Sequence, residues 1–214
     1  MFQEDRFGPA EDFFATYSAL GGRRLGAADV EGAIRSAYMG LAADYSDPRR
    51  VDDFPSLKQS LGRDTDIPED EIAVLERVFA AHEIGQVPPA FAACLRRLEA
   101  SYLLGVVSNI WARKEPWLGH FEDVGIAKIW RTLVFSSDTR NIKPSPALFR
   151  RAVFELGLAP PEILFVGDSL RTDIVPAKAL GMSTAWVGGA AVAHPSADWT
   201  GPSLLELETT LTSF

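Results

Sequence analysis

The sequence predicts an α/β fold with a mostly parallel sheet, and three observations carry that expectation. Short apolar runs at 102–107, 133–136 and 163–166, with another after Gly181, read as strands. Central strands of a parallel sheet are covered on both faces, so they appear as near-continuous apolar runs rather than alternating ones. Helix-spaced segments with short links separate these runs, the pattern of strand–helix–strand units. The residues best suited to chemistry also fall at the carboxyl ends of the strands, where open parallel sheets bind ligands.

The elements before residue 87 are of another kind. Gly8-Pro9-Ala10 opens a helix with Phe13, Phe14, Tyr17 and Leu20 on one side and Gly21-Gly22 as its stop. A second helix over 29–45 carries Val30, Ile34, Ala37 and Leu41 at helical spacing and ends near Asp47-Pro48. A short helix is expected around Leu57 and Leu61, and Pro68-Glu-Asp-Glu starts another with Ile72, Leu75, Val78 and Phe79. No strand is expected up to about residue 86, which makes 21–86 a helical subdomain set into an α/β core formed by 1–20 and 87–214.

From Val87 the pattern changes. Pro88-Pro89 starts a helix that runs to about Ala100, and the strand over 102–107 leads into Ser108-Asn109. A helical region containing Trp117, Phe121 and Val124 precedes the strand over 133–136. Lys143-Pro-Ser-Pro146 leads into a helix over 147–156, and the strand over 163–166 turns sharply at Gly167-Asp168-Ser169. A helix carrying Asp173 follows, stopped at Gly181, before the strand that ends near Val187. Beyond it lie a loop and a closing helix over 203–211.

Composition narrows the class. At 47% hydrophobic the chain of 214 residues can bury a substantial core. Its net charge of -8 argues against a nucleic-acid backbone as partner, since phosphate neutralisation needs a basic surface. No apolar run reaches the length of a membrane span and the first residues do not resemble a signal peptide, so a cytoplasmic protein is expected. Cys94, the single cysteine, sits in a helical pattern as a core thiol. His82, His120 and His194 show no metal-ligand spacing, and Trp111, Trp117 and Trp130 are expected in packing.

Asp168 and Asp173 lie five residues apart, one on a turn and one in the first helical turn beyond it. Such a pair can converge on Mg2+, which takes oxygen ligands and is satisfied by one or two carboxylates, waters and a phosphate oxygen. The same two residues would also serve as a helix cap and a dipole-favoured acid. Ser108 offers a hydroxyl at a strand end, next to free N–H groups, for a phosphate oxygen; Ser-Asn is equally a helix N-cap pair. Lys143 is presented from a loop stiffened by Pro144, where a compact positive charge can neutralise a phosphate. Arg113 and Lys114 are near enough in sequence to meet an anionic leaving group.

Together these stretches resemble the haloacid dehalogenase-type hydrolases, in the branch whose helical cap is inserted soon after the first strand. Val106-Val-Ser-Asn109 is similar to that family's second motif, Lys143-Pro-Ser-Pro-Ala-Leu-Phe149 to its lysine motif, and Phe165-Val-Gly-Asp-Ser-Leu-Arg-Thr-Asp-Ile174 to its acidic motif. The resemblance spans roughly residues 88–188 and implies a Rossmann-like three-layer core with a helical cap. It further implies that Ser108 binds a phosphoryl oxygen, Asn109 shapes the turn, and Lys143 neutralises phosphoryl group and nucleophile. Asp168 would ligate Mg2+, and Asp173 would hold a metal-bound water or orient the lysine. The implied activity is hydrolysis of a small phosphorylated metabolite through an aspartyl-phosphate.

One part of the family pattern is missing. The family opens with an apolar strand followed by Asp-x-Asp-x-Thr, the source of nucleophile and general acid. Here Asp5 follows only Met-Phe-Gln-Glu, Asp12 lies in a helical pattern, and the companions two residues on are Phe7 and Phe14. The expectation is therefore a phosphatase scaffold, inactive as written, that lacks the central strand between those of 102–107 and 163–166. A late start, closure of the neighbouring strands, or a second chain in the gap, as in a homodimer, would each answer the loss. The alternatives in function are a 2-haloacid dehalogenase, which needs the same absent aspartate but no Mg2+, and a non-catalytic binding or regulatory module.

Overall fold

A computed structural model describes residues 7–63, 66–189 and 193–211; Asp5 lies outside the described residues. Four helices come first: α1 (Phe13–Ala19), α2 (Ala27–Ser46), α3 (Leu57–Leu61) and α4 (Glu69–Glu83). Helix α1 starts later than Gly8-Pro9-Ala10 suggested because Asp12 caps it, its side chain accepting from the Ala15 N–H at 2.8 Å. Helix α3 is short but well started: Ser56 and Gln59 exchange the two bonds of a capping box. The apolar faces meet in one cluster of Phe13, Tyr17, Val30, Ile34, Leu41, Leu75 and Phe79. Residues 7–20, assigned to the α/β part from sequence, thus pack with the helices instead, because Phe13 and Tyr17 have their apolar partners there.

The α/β part follows as α5 (Pro89–Glu99), β1 (Leu104–Ser108), α6 (Glu115–Asp123), β2 (Trp130–Phe135), α7 (Pro146–Leu156), β3 (Leu164–Gly167), a π-helical turn (Leu170–Ile174) running into α8 (Val175–Ala179), β4 (Ser183–Val187), β5 (Trp199–Gly201) and α9 (Leu204–Leu211). Strand β2 begins three residues before the expected run, since Trp130 packs on Phe121 at 5.5 Å between ring centres. Strand β5 was not expected at all. Its three residues are too few to show a pattern, and only pairing with β4 defines it.

All strand pairings are parallel. Strand β1 lies on β2 with Val106 opposite Leu133 and Ser108 opposite Phe135. Strand β4 lies between β3 and β5, with Gly167 opposite Trp186 and Trp186 opposite Thr200. These are two separate sheets: among the described residues β1 and β3 do not pair. Closure of these two strands onto each other, one of the expected outcomes, is not seen among the described residues. Burial divides the strands in the same way. Strands β2 and β4 bury Val134 and Ala185 completely, whereas neither β1 nor β3 has a fully buried residue and Val166 is 36% exposed.

Helix α7 holds the halves side by side. Leu148 and Ala152 pack on Val134 and Val107 from the first sheet. Phe149 packs on Phe165, at 4.9 Å between ring centres, and on Ala177 and Met182 of the second half. A further tie is ionic: Arg97 of α5 donates two hydrogen bonds, of 2.6 and 2.7 Å, to Glu208 of α9. No helix among the described residues is long and apolar enough to cross a membrane.

Because Phe149 is wholly buried where α7 meets the second sheet, Phe149→Ala is expected to cost about 3–5 kcal/mol. Urea unfolding of variant and parent, compared at their midpoints, measures this loss.

Candidate functional site

The site is assembled where β1, β2 and β3 end. Ser108 closes β1, and Asn109 after it turns toward the loop that follows β2. Two reciprocal hydrogen bonds join them: the Lys143 N–H donates to Asn109 Oδ1 at 2.7 Å, and Asn109 Nδ2 donates to the Lys143 carbonyl at 3.2 Å. A side-chain amide can satisfy both backbone groups of one residue because it carries acceptor and donor side by side. The Lys143–Pro144 peptide bond is cis. The Lys143 side chain, only 13% exposed, then reaches across to Asp173, Nζ to Oδ1 at 2.5 Å, and Asp173 is itself 5% exposed.

Asp173 is fixed on its other side as well. The Ser169 N–H donates to its Oδ2 at 3.1 Å, and the π-helical turn that carries it opens at Ser169, whose hydroxyl accepts from the Thr172 N–H. Gly167 is required here by space: a Cβ on it would lie 2.4 Å from that of Asp173. Asp168 follows β3 directly and is exposed, its carbonyl accepting from Trp186 Nε1 at 3.1 Å. The structure thus joins Asn109, Lys143 and Asp173 by direct contacts, with Ser108 and Asp168 as their chain neighbours at the two strand ends.

Several participants had no local sequence signal. Glu83, the last residue of α4, accepts hydrogen bonds from the N–H groups of Trp111 at 2.7 Å and Ala112 at 2.8 Å, and so ties down the loop after β1. Its removal from water pushes its carboxyl up to about 7, against the pull of those two N–H groups. Tyr45 accepts from Asn109 Nδ2 at 3.2 Å. Asp52 accepts from Ser145 Oγ at 2.6 Å and from Asn141 Nδ2 at 3.2 Å, holding the Lys143 loop from the helical side. Ser136, buried, exchanges two hydrogen bonds with Ile110. Each partner lies at least 26 residues away in the chain, beyond the reach of any local pattern.

Other sequence candidates have structural partners. His82 sits between Glu11 and Thr16, His120 accepts from the Val87 N–H, and His194 from that of Ser196. Lys114 pairs with Asp138 at 2.7 Å. Cys94 is buried beside Glu208, and burial pushes its thiol up to about 11. Trp111 packs among Tyr38, Phe79 and Tyr45, while Trp117 and Trp130 pack on Phe121.

A parallel α/β core with an anchored lysine and two aspartates at its carboxyl rim, beneath a helical unit, defines a class of hydrolase scaffold. The chain belongs to the haloacid dehalogenase-like hydrolases, whose sequence pattern matches residues 59–187. It is 35% identical over 138 residues to the phosphoglycolate phosphatase of Salmonella typhi and 34% identical over 138 to that of Escherichia coli O157:H7, covering 59% of this chain in both cases. The chain spans about half the length of these curated relatives, 53%. Among solved structures it is similar in fold to a HAD phosphatase from Thermococcus onnurineus, with TM-score 0.59 and 24% identity over 93% of this chain and 87% of that one. The 2-haloacid dehalogenase of Pseudomonas syringae pv. Tomato DC3000 gives 0.58 and 22% over 98% and 84%. The HAD-hydrolase YfnB of Bacillus subtilis, solved bound to magnesium, gives 0.58 and 18% over 94% and 92%.

Two outcomes follow from the geometry. Asp173→Asn leaves the Lys143 ammonium shielded without its counter-charge, which is expected to cost about 3–5 kcal/mol in denaturant unfolding. Glu83 keeps its proton up to about 7 when folded and loses it near 4.5 when unfolded, so the unfolded state binds fewer protons between those values. Its contribution to stability therefore falls as pH rises through that window. Unfolding midpoints measured across the window should decline less steeply in Glu83→Gln than in the parent.

Proposed function

We propose that this chain is the scaffold of a Mg2+-dependent phosphate-ester hydrolase acting on a small phosphorylated metabolite. The observation that carries the reading is the Lys143 ammonium, anchored by Asp173 and aligned through Asn109 at the rim where β1 and β3 end. In this reading Ser108 and Asn109 receive the phosphoryl oxygens, and Lys143 neutralises their charge. Asp173 is the residue that positions Lys143, since both its oxygens are already engaged. The helices up to residue 86 serve as the cap and residues 87–214 as the core, with 7–20 going to the cap by their packing.

Asp168 is the residue that would hold magnesium. Among the described residues no three His, Cys, Asp or Glu side chains gather in one metal cluster. That donor set still suits this ion, which is commonly held by one or two carboxylates, with waters and substrate phosphate completing the shell. When bound, it would draw charge from the phosphoryl oxygens. What this chain's own residues do is hold the anion and keep the ammonium aligned.

The attacking carboxylate is the part this reading does not find. Among the described residues, Asp173 is engaged by Lys143, Asp52 by Ser145 and Asn141, and Glu83 by two backbone N–H groups, while Asp168 is assigned to the ion. Residues 1–214 alone are therefore proposed to be inactive in turnover. The kinship at 35% identity with phosphoglycolate phosphatases favours phosphate over halide, while the likeness to a 2-haloacid dehalogenase is one of fold.

Release of p-nitrophenol from its phosphate, in Mg2+, is the check, with Asp168→Asn as the control. Parent and control are expected to give the same background rate. Turnover that the substitution abolishes would overturn the inactive assignment and leave the phosphate site standing.

A further inference from the structure

We infer that Arg171 is a specificity-determining residue, the receptor for a second anionic group, a carboxylate, on the phosphorylated substrate. The inference rests on the phosphate-site reading of Lys143 and adds the chemistry of the rest of the ligand. It stands on a closed circuit of contacts. The Arg171 guanidinium carbon lies 5.5 Å from the centre of the Tyr45 ring, and Tyr45 Oη is 3.2 Å from Asn109 Nδ2. Asn109 Oδ1 is 2.7 Å from the Lys143 nitrogen, Lys143 Nζ is 2.5 Å from Asp173, and Asp173 lies two residues beyond Arg171 in the same π-helical turn. The circuit thus places a second cation on the same rim as the lysine, on a turn pinned by Asp173 and against a ring from the helical side.

The contact with Tyr45 uses the guanidinium in a particular way. A cation over an aromatic face is held by the ring quadrupole, and this leaves the N–H donors at the edge of the plane. Those donors form a fork that matches a carboxylate with two parallel bonds. Arg171 is exposed, and among the described residues no carboxylate pairs with it. Its neighbours behave otherwise: Lys143 pairs with Asp173, Lys114 with Asp138, Arg140 with Asp53, and Lys178 with Asp198. A guanidinium held over a ring at the ligand rim and, among the described residues, without an ion-pair partner can turn its fork to an external acid.

The phosphorylated acid is therefore expected to bind through both ends, phosphoryl group toward Lys143 and carboxylate toward Arg171. The test is a calorimetric titration of the full chain, in Mg2+, with 2-phosphoglycolate and with ethyl phosphate, which keeps the ester and lacks the carboxylate. The parent is expected to prefer 2-phosphoglycolate by about ten- to hundredfold, the value of a hydrogen-bonded charge pair. Arg171→Gln should erase that preference while leaving ethyl phosphate binding as it was, and Arg171→Lys should restore part of it. Lys143→Ala should weaken both probes. Equal affinities in the parent, or an Arg171→Gln variant that weakens both probes alike, would overturn the role of Arg171 and leave the phosphate site intact. Indifference of both probes to Lys143→Ala, or binding of neither by the parent, would overturn the phosphate site and the inference with it.

Discussion

A lysine ammonium and an aspartate carboxylate, both drawn away from water, span a place where, among the described residues, no strand pairing does. Lys143 belongs to the half built on β1 and β2, and Asp173 to the half built on β3, β4 and β5. In a continuous sheet the ladder of N–H and C=O bonds would fix such loops relative to each other. Here that task falls to the ion pair at the carboxyl rim, to the Arg97–Glu208 pair between α5 and α9, and to α7, with Phe149 and Leu148 facing opposite sheets. A shielded pair in this position is worth less as net stabilisation than as geometry, because desolvation offsets much of the attraction. It sets where the ammonium points, and the reading of the site follows from that direction.

Much of this was legible in the sequence, for physical reasons that can be named. The strands of the parallel core announce themselves because burial on both faces demands apolar side chains at successive positions, as in the run that holds Val134. Lys143, Asp168 and Asp173 were visible because a strand end, a proline-stiffened loop and a Gly-Asp turn are local features. Whether β1 and β3 pair was left open by the sequence, because closure of the two strands and a space between them were both compatible with the apolar runs.

What could not be read depends on contacts distant in the chain. Glu83 looks like any acid at the end of a surface helix, and its role exists only because the loop after β1 brings two N–H groups to it. Tyr45 meets Asn109 across 64 residues, and Asp52 meets Ser145 across 93. Strand β5 needs β4 beside it to be a strand at all. The start of α1 was misjudged because Gly8-Pro9 outweighed the capping oxygen of Asp12 in a reading by pattern, whereas the hydrogen bond decides the fold. For the same reason the packing of residues 7–20 against the helices was not legible: Phe13 and Tyr17 declare that they are buried, but not by what.

The helical unit does not simply rest on the α/β part. Ala112 from the loop after β1 and Ile142 from the loop before Lys143 are members of its apolar cluster, and Trp111 packs against it. Swinging those helices away would strip nonpolar area from the very segments that carry Asn109 and Lys143, at about 25 cal/mol for each Å² wetted. The two loops are thus joined to the helices by apolar burial. On the flank formed by the turn after β3, the helices are met by Arg171, whose guanidinium lies over the Tyr45 ring. Parting the helices from the α/β part would therefore wet carbon as well as break hydrogen bonds.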